Sequence, residues 1–218
     1  MKIEKKIEIK HTTKAVKYND SLNFMENRVL EINSNINKEL IWFLHHNHIF
    51  TLGTSGKENE LHSKINIPLI KTNRGGKITY HGPGQRIVYF LIDLKKRKKD
   101  IRNFVNSIET AAILFLNEFG IEAKTFKDRI GIWVTKNKGI SLKKEEKIGA
   151  IGLRLKKWTT YHGLSFNINP DLNYFKKIYP CGLKEYSTTS MKALGVDITS
   201  NEFDKLFLEI YLKELKKL

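Results

Sequence analysis

The chain has 218 residues, 39 Lys and Arg against 23 Asp and Glu, a net charge of +16 and a single cysteine. A 40% share of hydrophobic residues excludes intrinsic disorder despite the charge. One cysteine excludes an intrachain disulfide framework, and no apolar run approaches the ~20 residues of a membrane span. Met1 to Lys10 alternates Lys and Ile and lacks the apolar stretch of a signal peptide. A soluble, reduced, cytoplasmic protein is expected. The positive charge admits three readings: phosphate neutralisation on nucleic acid, steering of an acidic protein partner, or a Lys-rich solvated surface set by codon usage. Lys dominates over Arg, which speaks against base reading by the bidentate guanidinium fork.

In chain order, Asp20 or Ser21 is placed to cap a first helix whose apolar face is Leu22, Met25, Val29 and Ile32. Leu40 to Leu44 reads as a buried strand, and Ile49 to Gly53 as another after His45-His46-Asn47-His48. Residues 53–64 read as a loop, and Pro68 to Lys71 as a strand. Arg86 to Leu94 is a strong strand, followed by the basic connector Lys95-Lys96-Arg97-Lys98-Lys99. Ile101 to Phe119 is a helix with Phe104, Ile108, Ala112 and Phe115 on one face and Gly120 as its stop. Strand-like pieces follow at 121–126, 131–135, 148–155 and 159–168. A last helix starts after Thr199, with Glu202 completing a capping box and Phe203, Leu206, Phe207 and Ile210 as its buried stripe. Strands outnumber helices and do not alternate with them, so the class is α+β with a mixed or antiparallel sheet. No repeat or linker divides the chain, and a single domain over 1–218 is expected.

Two segments point to chemistry. Arg74 to Gln85 holds four glycines and a proline interleaved with Arg74, Thr79, Tyr80 and His81. It fits neither the phosphate loop GxxxxGK[ST] nor GxGxxG, so it reads as a backbone that closely approaches some other ligand. Cys181 sits in a turn, Pro180-Cys181-Gly182, where a buried strand or helix interior is disfavoured and an accessible thiol is favoured. An ordinary thiol of pKa ~8.5 is only ~3% ionised at pH 7, so a nucleophilic role needs a cation beside it. Lys147, at the mouth of the small-residue strand Ile148-Gly149-Ala150-Ile151-Gly152, is one candidate. His81 and His162, each followed by glycine, are the others, and spacing does not choose among the three.

Six motifs in order carry a resemblance: Thr51-Leu52-Gly53; Arg74-Gly75-Gly76 with Thr79 to Gln85; Gly131-Ile132-Trp133; Lys147 to Gly152; Tyr161-His162-Gly163 with Asn167; and Pro180-Cys181-Gly182. From about Ile41 to Leu194 the chain resembles the lipoyl(octanoyl) transferases of the biotin/lipoate protein ligase superfamily. The resemblance implies that superfamily's catalytic-domain fold, a mixed, largely antiparallel sheet with flanking helices. It implies an octanoyl group passed from octanoyl-acyl carrier protein to Cys181 as a thioester, with Lys147 lowering the thiol pKa and relaying protons. The acceptors it implies are lipoyl domains of 2-oxoacid dehydrogenase complexes and the glycine cleavage H protein, each modified on a lysine. Acyl-binding roles fall on Arg74, Gly75, Gly76, Lys77, Ile78, Thr79, Tyr80 and His81, on Ala150, Ile151 and Gly152, and on Gly163, Leu164 and Ser165.

Thioester to amide is downhill, so no ATP, metal or other cofactor is expected, nor nucleic acid or membrane as partner, and the chain is expected to be a monomer. An ATP-dependent lipoate or biotin ligase is the competing activity within the superfamily, and a basic nucleic-acid-binding module the remote one. The chain departs from the family pattern at His45, Asn47 and His48, where an acidic residue and prolines are common, and at Arg86 and Phe90, where an apolar residue and a proline are. These departures bear on the walls of the pocket. His46 and His48 would share one face of a strand, but no accompanying Cys or carboxylate motif supports a metal site.

Overall fold

The computed structural model describes residues 7–64, 66–179 and 185–218. In chain order the elements are β1 (Ile7–His11), α1 (Tyr18–Asn33), β2 (Glu39–Leu44), β3 (Ile49–Leu52), β4 (Leu69–Lys71), β5 (Ile78–His81), β6 (Gln85–Leu91), α2 (Ile101–Asn117), β7 (Ile121–Lys124), β8 (Ile132–Asn137), β9 (Ile140–Lys156), β10 (Thr159–Asn167), β11 (Ser187–Thr188) and α3 (Ser200–Leu215). The main sheet runs β1-β2-β6-β10-β9-β8-β7, with β11 added against β9. Among the described residues only the β1–β2 and β11–β9 pairs in it are parallel. A small sheet, β4-β3-β5, stands apart from it. The α+β, largely antiparallel architecture is the one expected.

The central strands are apolar without alternation because both faces of the main sheet are covered. On β6, Val88 and Phe90 pack into one cluster with residues of α2 and α3, while Ile87, Tyr89 and Leu91 pack into a second with Met25, Val29 and Ile32 of α1. The small sheet has its own cluster, in which Phe50, Leu52, Ile78 and Tyr80 meet Phe175 and Ile178. The capping box on α3 is present, with Thr199 accepting from the Glu202 amide and Glu202 from the Thr199 amide.

Five elements differ from expectation, the two-residue β11 among them because nothing in the sequence marked it. Helix α1 begins at Tyr18, so Asp20 and Ser21 lie inside its first turn rather than ahead of it. There Asp20 complements the positive end of the helix, and Ser21 Oγ donates to the Tyr18 carbonyl at 2.7 Å. The Lys-Ile alternation at the N-terminus feeds β1, which pairs with β2. The segment read as a glycine loop contains β5. The strand expected at 148–155 begins earlier, at Ile140 of the 17-residue β9, whose first half is largely exposed.

Candidate active site

A cavity of about 430 Å³ opens between the two sheets. Its walls gather segments that are far apart in sequence: Arg74 to Thr79 with His81, Gly149 to Leu153 of β9, and His162 to Ser165 of β10. Lys147 also lines it. So do Phe175, Ile178 and Thr188, which flank in sequence the segment that carries Cys181. Cys181 itself lies outside the described residues. Of the expected acyl-binding residues, Tyr80 does not line the cavity: it is fully buried in the small sheet's cluster, stacked on Tyr174 at 4.6 Å. The alternation of β5 turns its neighbours Thr79 and His81 the other way.

The β9–β10 pair allows the glycine-rich segment to lie directly on the sheet. Gly152 pairs with Gly163, and a Cβ at Gly152 would sit 2.8 Å from the Gly75 carbonyl oxygen and 3.4 Å from Arg74 Cδ. The Gly75 amide donates to the Leu153 carbonyl at 3.0 Å. Small residues here are therefore what lets Arg74 and Gly75 form a wall.

A directional hydrogen-bond circuit runs beneath that wall. Arg74, 7% exposed, donates to Thr51 Oγ1 through Nε at 3.2 Å and Nη2 at 2.8 Å, and to the Thr51 carbonyl at 2.7 Å. Gln85 Nε2 donates to the Tyr80 carbonyl and to Asn167 Oδ1 at 3.0 Å. Gln85 Oε1 is thereby the acceptor of the His81 Nδ1 proton at 2.7 Å. His81 Nε2 is left to accept from the Thr51 hydroxyl at 3.3 Å. Asn167 Nδ2 donates onward to the Thr189 carbonyl at 3.0 Å, next to the point where Thr188 pairs with Lys147. The tautomers follow from this network rather than from observed protons.

His81 and His162 are both held uncharged. Burial, reinforced by His46 and Arg74, drives the His81 pKa well below 6.5. Burial and Arg74 take His162 down to about 3. Asn73 Nδ2 donates to Glu26 and to Tyr161, so Asn73 Oδ1 accepts the His162 Nε2 proton at 2.9 Å. His162 Nδ1 is buried and has no hydrogen-bond partner among the described residues. His162 adopts φ +62°, a region uncommon for side-chain-bearing residues. Neither imidazole therefore offers the positive charge that a neighbouring thiolate would need.

Lys147 is seated by backbone. Its Nζ donates to the Ile130 carbonyl at 3.1 Å and lies 5.5 Å from the Trp133 ring centroid. A Cβ at Gly131 would come within 2.5 Å of Lys147 Cε, so the lysine runs against bare backbone. The Lys147 carbonyl accepts from the Thr189 amide at 2.9 Å.

The departures from the family pattern leave the cavity walls alone. Arg86 points into the opposite face and grips Asp204 of α3, and Phe90 packs on Tyr211 there. His46 is bonded to Val16 and Tyr89, whereas His48 is bonded to Tyr80 and packs on Tyr174. The two histidines thus serve different clusters. Tyr18, Ile87 and Tyr89 also line the cavity. Sequence reasoning read Ile87 and Tyr89 only as strand residues and passed over Tyr18, for no local pattern marks them. Gln85 and Asn167 were in the quoted motifs, but their partnership spans 82 positions of chain.

The sequence matches the lipoyl protein ligase A/B catalytic domain family over residues 17–211. It is 45% identical over 199 residues to an octanoyltransferase of Wolbachia pipientis subsp. Culex pipiens (strain wPip), covering 87% of this chain and 94% of that one. It is 43% identical over 210 residues to an octanoyltransferase of Ehrlichia canis (strain Jake), covering 94% and 96%. The fold superposes on a bipartite lipoate protein ligase from Thermoplasma acidophilum with TM-score 0.70 at 14% identity, over 96% of this chain and 83% of that one. It superposes on a lipoate-protein ligase A bound with ATP with TM-score 0.68 at 15% identity, over 96% and 86%. At such identities these two share the fold. The chain belongs to the lipoyl protein ligase A/B catalytic domain family. It is an acyltransferase of protein lipoylation.

Proposed function

We infer that the chain transfers an octanoyl group from octanoyl-acyl carrier protein, through a thioester on Cys181, to a lysine amine of lipoyl domains. Among the acceptors are those of 2-oxoacid dehydrogenase complexes and the glycine cleavage H protein. One observation carries the reading: Lys147, the glycine-rich wall and the residues flanking the Cys181 segment all border a single cavity. In the first half-reaction the Cys181 thiolate attacks the acyl carbon, the carbon–sulfur bond to the carrier breaks, and Lys147 gives a proton to the departing carrier thiolate. In the second, the neutral amine of the acceptor attacks the enzyme thioester, Cys181 leaves as thiolate, and Lys147 takes up the amine proton. The pair returns to its starting state.

Ile78, Ile87, Ile151 and Leu164 give the acyl chain apolar contacts, at about 0.8 kcal/mol for each buried methylene. A reducing compartment such as the cytoplasm keeps the thiol available. The chain acts as one domain and one copy, without cofactor, metal, nucleic acid or membrane. Among the described residues no helix is long and apolar enough to cross a membrane.

The test is transfer from octanoyl-acyl carrier protein to an unmodified lipoyl domain in ATP-free buffer. Amide formation at the rate seen with ATP is expected. Modification that requires free octanoate or lipoate together with ATP would instead assign a ligase.

A further inference from the structure

We propose that Arg129 is a positioning residue that locks the seat of Lys147 to the chain emerging from the Cys181 segment; this rests on the Cys181–Lys147 reading above. Arg129 lies between β7 and β8, yet it is only 7% exposed. Its guanidinium carbon lies 3.7 Å from the ring centroid of Phe126, 4.4 Å from Tyr186 and 5.1 Å from Trp133. Nη1 pairs with Asp128 at 3.1 Å and Nη2 with Glu145 at 3.5 Å. Burying a charged side chain in a connection is costly unless it is paired, and here the partners come from separate parts of the chain.

Those partners converge on the lysine. Glu145 precedes Lys147 by two residues on β9. Trp133 donates its indole N–H to the Arg129 carbonyl at 3.1 Å and lies beside the Lys147 ammonium. The next carbonyl, of Ile130, holds Lys147 Nζ, and Gly131 supports its stem. Tyr186 follows Cys181 by five residues and directly precedes β11, whose Thr188 pairs with Lys147. Lys144 reinforces the junction, 4.8 Å from the Tyr186 ring and 3.6 Å from Glu185. Arg129 therefore fixes the seat of Lys147 relative to β11, which follows the Cys181 segment in sequence. A flat, delocalised cation with donors along its edge does this between aromatic rings, and a lysine does not.

The test is a double-mutant cycle read on the thiol. Four proteins are compared: wild type, Arg129→Gln, Lys147→Gln and the double variant. The measurements are the pH dependence of Cys181 alkylation by iodoacetamide and the rate of octanoyl-thioester formation from octanoyl-acyl carrier protein. Arg129→Gln is expected to move the alkylation midpoint upward by about one pH unit. It should slow thioester formation about 10- to 100-fold, mainly in kcat. Lys147→Gln should move the midpoint the same way, and the double variant should match Lys147→Gln because Arg129 acts through that lysine. Arg129→Lys should not rescue. If Arg129→Gln unfolds, Tyr186→Leu takes its place, with the same non-additivity against Lys147→Gln. An unmoved midpoint in the Arg129 or Tyr186 variant, or losses that multiply in the double, would overturn the positioning role while leaving the dyad intact. An unmoved midpoint in Lys147→Gln would overturn the dyad and the proposal together.

Discussion

His46, His81 and His162 lie together under the glycine-rich wall, the first two with ring centroids 5.8 Å apart. All three are uncharged for the same reason: burial excludes the water an imidazolium needs, and Arg74 adds repulsion to His81 and His162. His46 is lowered to about 4 and His162 to about 3. In the unfolded chain each takes up a proton as pH falls through about 6.5, while the folded protein does not. The stability they contribute is therefore complete above that pH and is lost as pH falls toward the folded values, at about 1.4 kcal/mol per pH unit for each histidine. Thermal melts from about pH 8 down to pH 5 should show a steep fall below about 6.5 that His46→Gln makes shallower. A flat profile would contradict the neutral cluster. Gly152→Val probes the same wall by sterics. The new Cβ would meet the Gly75 carbonyl, and displacement of Arg74 and Gly75 should cost about 100-fold in kcat/KM for the acyl donor, read against an unchanged acceptor KM. The site's residue types were legible in the sequence because glycine, arginine and histidine cluster visibly. The reason His81 and His162 stay neutral was not, because it depends on burial contributed by α1 and by the small sheet.

At the scale of elements, α3 is held to the main sheet partly by charge. Arg86 and Asp204 form a two-bond pair at 2.7 and 2.6 Å, with side chains 5% and 4% exposed, and His11 of β1 joins Asp204 at 2.8 Å. Removing one partner strands the other: Asp204→Leu should destabilise by about 3–5 kcal/mol in urea or thermal unfolding, whereas Arg86→Leu with Asp204→Leu should recover most of it. Additive losses in the double variant would show that the pair does not act as a unit. Because Arg86 faces away from Gln85 and the cavity, kcat should follow stability here and nothing else. The buried strands and helices α2 and α3 were legible from apolar period and caps. Strand β5 was hidden between glycines, β11 is two residues long, and the charged half of β9 carries no apolar alternation because it is largely exposed there. Short or solvated strands are made by their neighbours, and a local pattern does not announce them.

For the whole molecule, the +16 charge and the single cysteine take on linked meanings. If the proposed donor and acceptor are acidic, a Lys-rich surface steers them without entering the chemistry. Raising ionic strength from about 0.05 to 0.5 M should therefore raise the donor and acceptor KM several-fold while leaving kcat nearly constant. Salt-independent KM values would reduce the charge to composition. The cysteine bears the central claim, that octanoyl transfer passes through a thioester on Cys181. Intact mass spectrometry of the purified protein with octanoyl-acyl carrier protein and no acceptor tests it directly. Wild type should gain one octanoyl group that hydroxylamine removes, and Cys181→Ala should gain none. Equal hydroxylamine-sensitive acylation of Cys181→Ala would contradict the account.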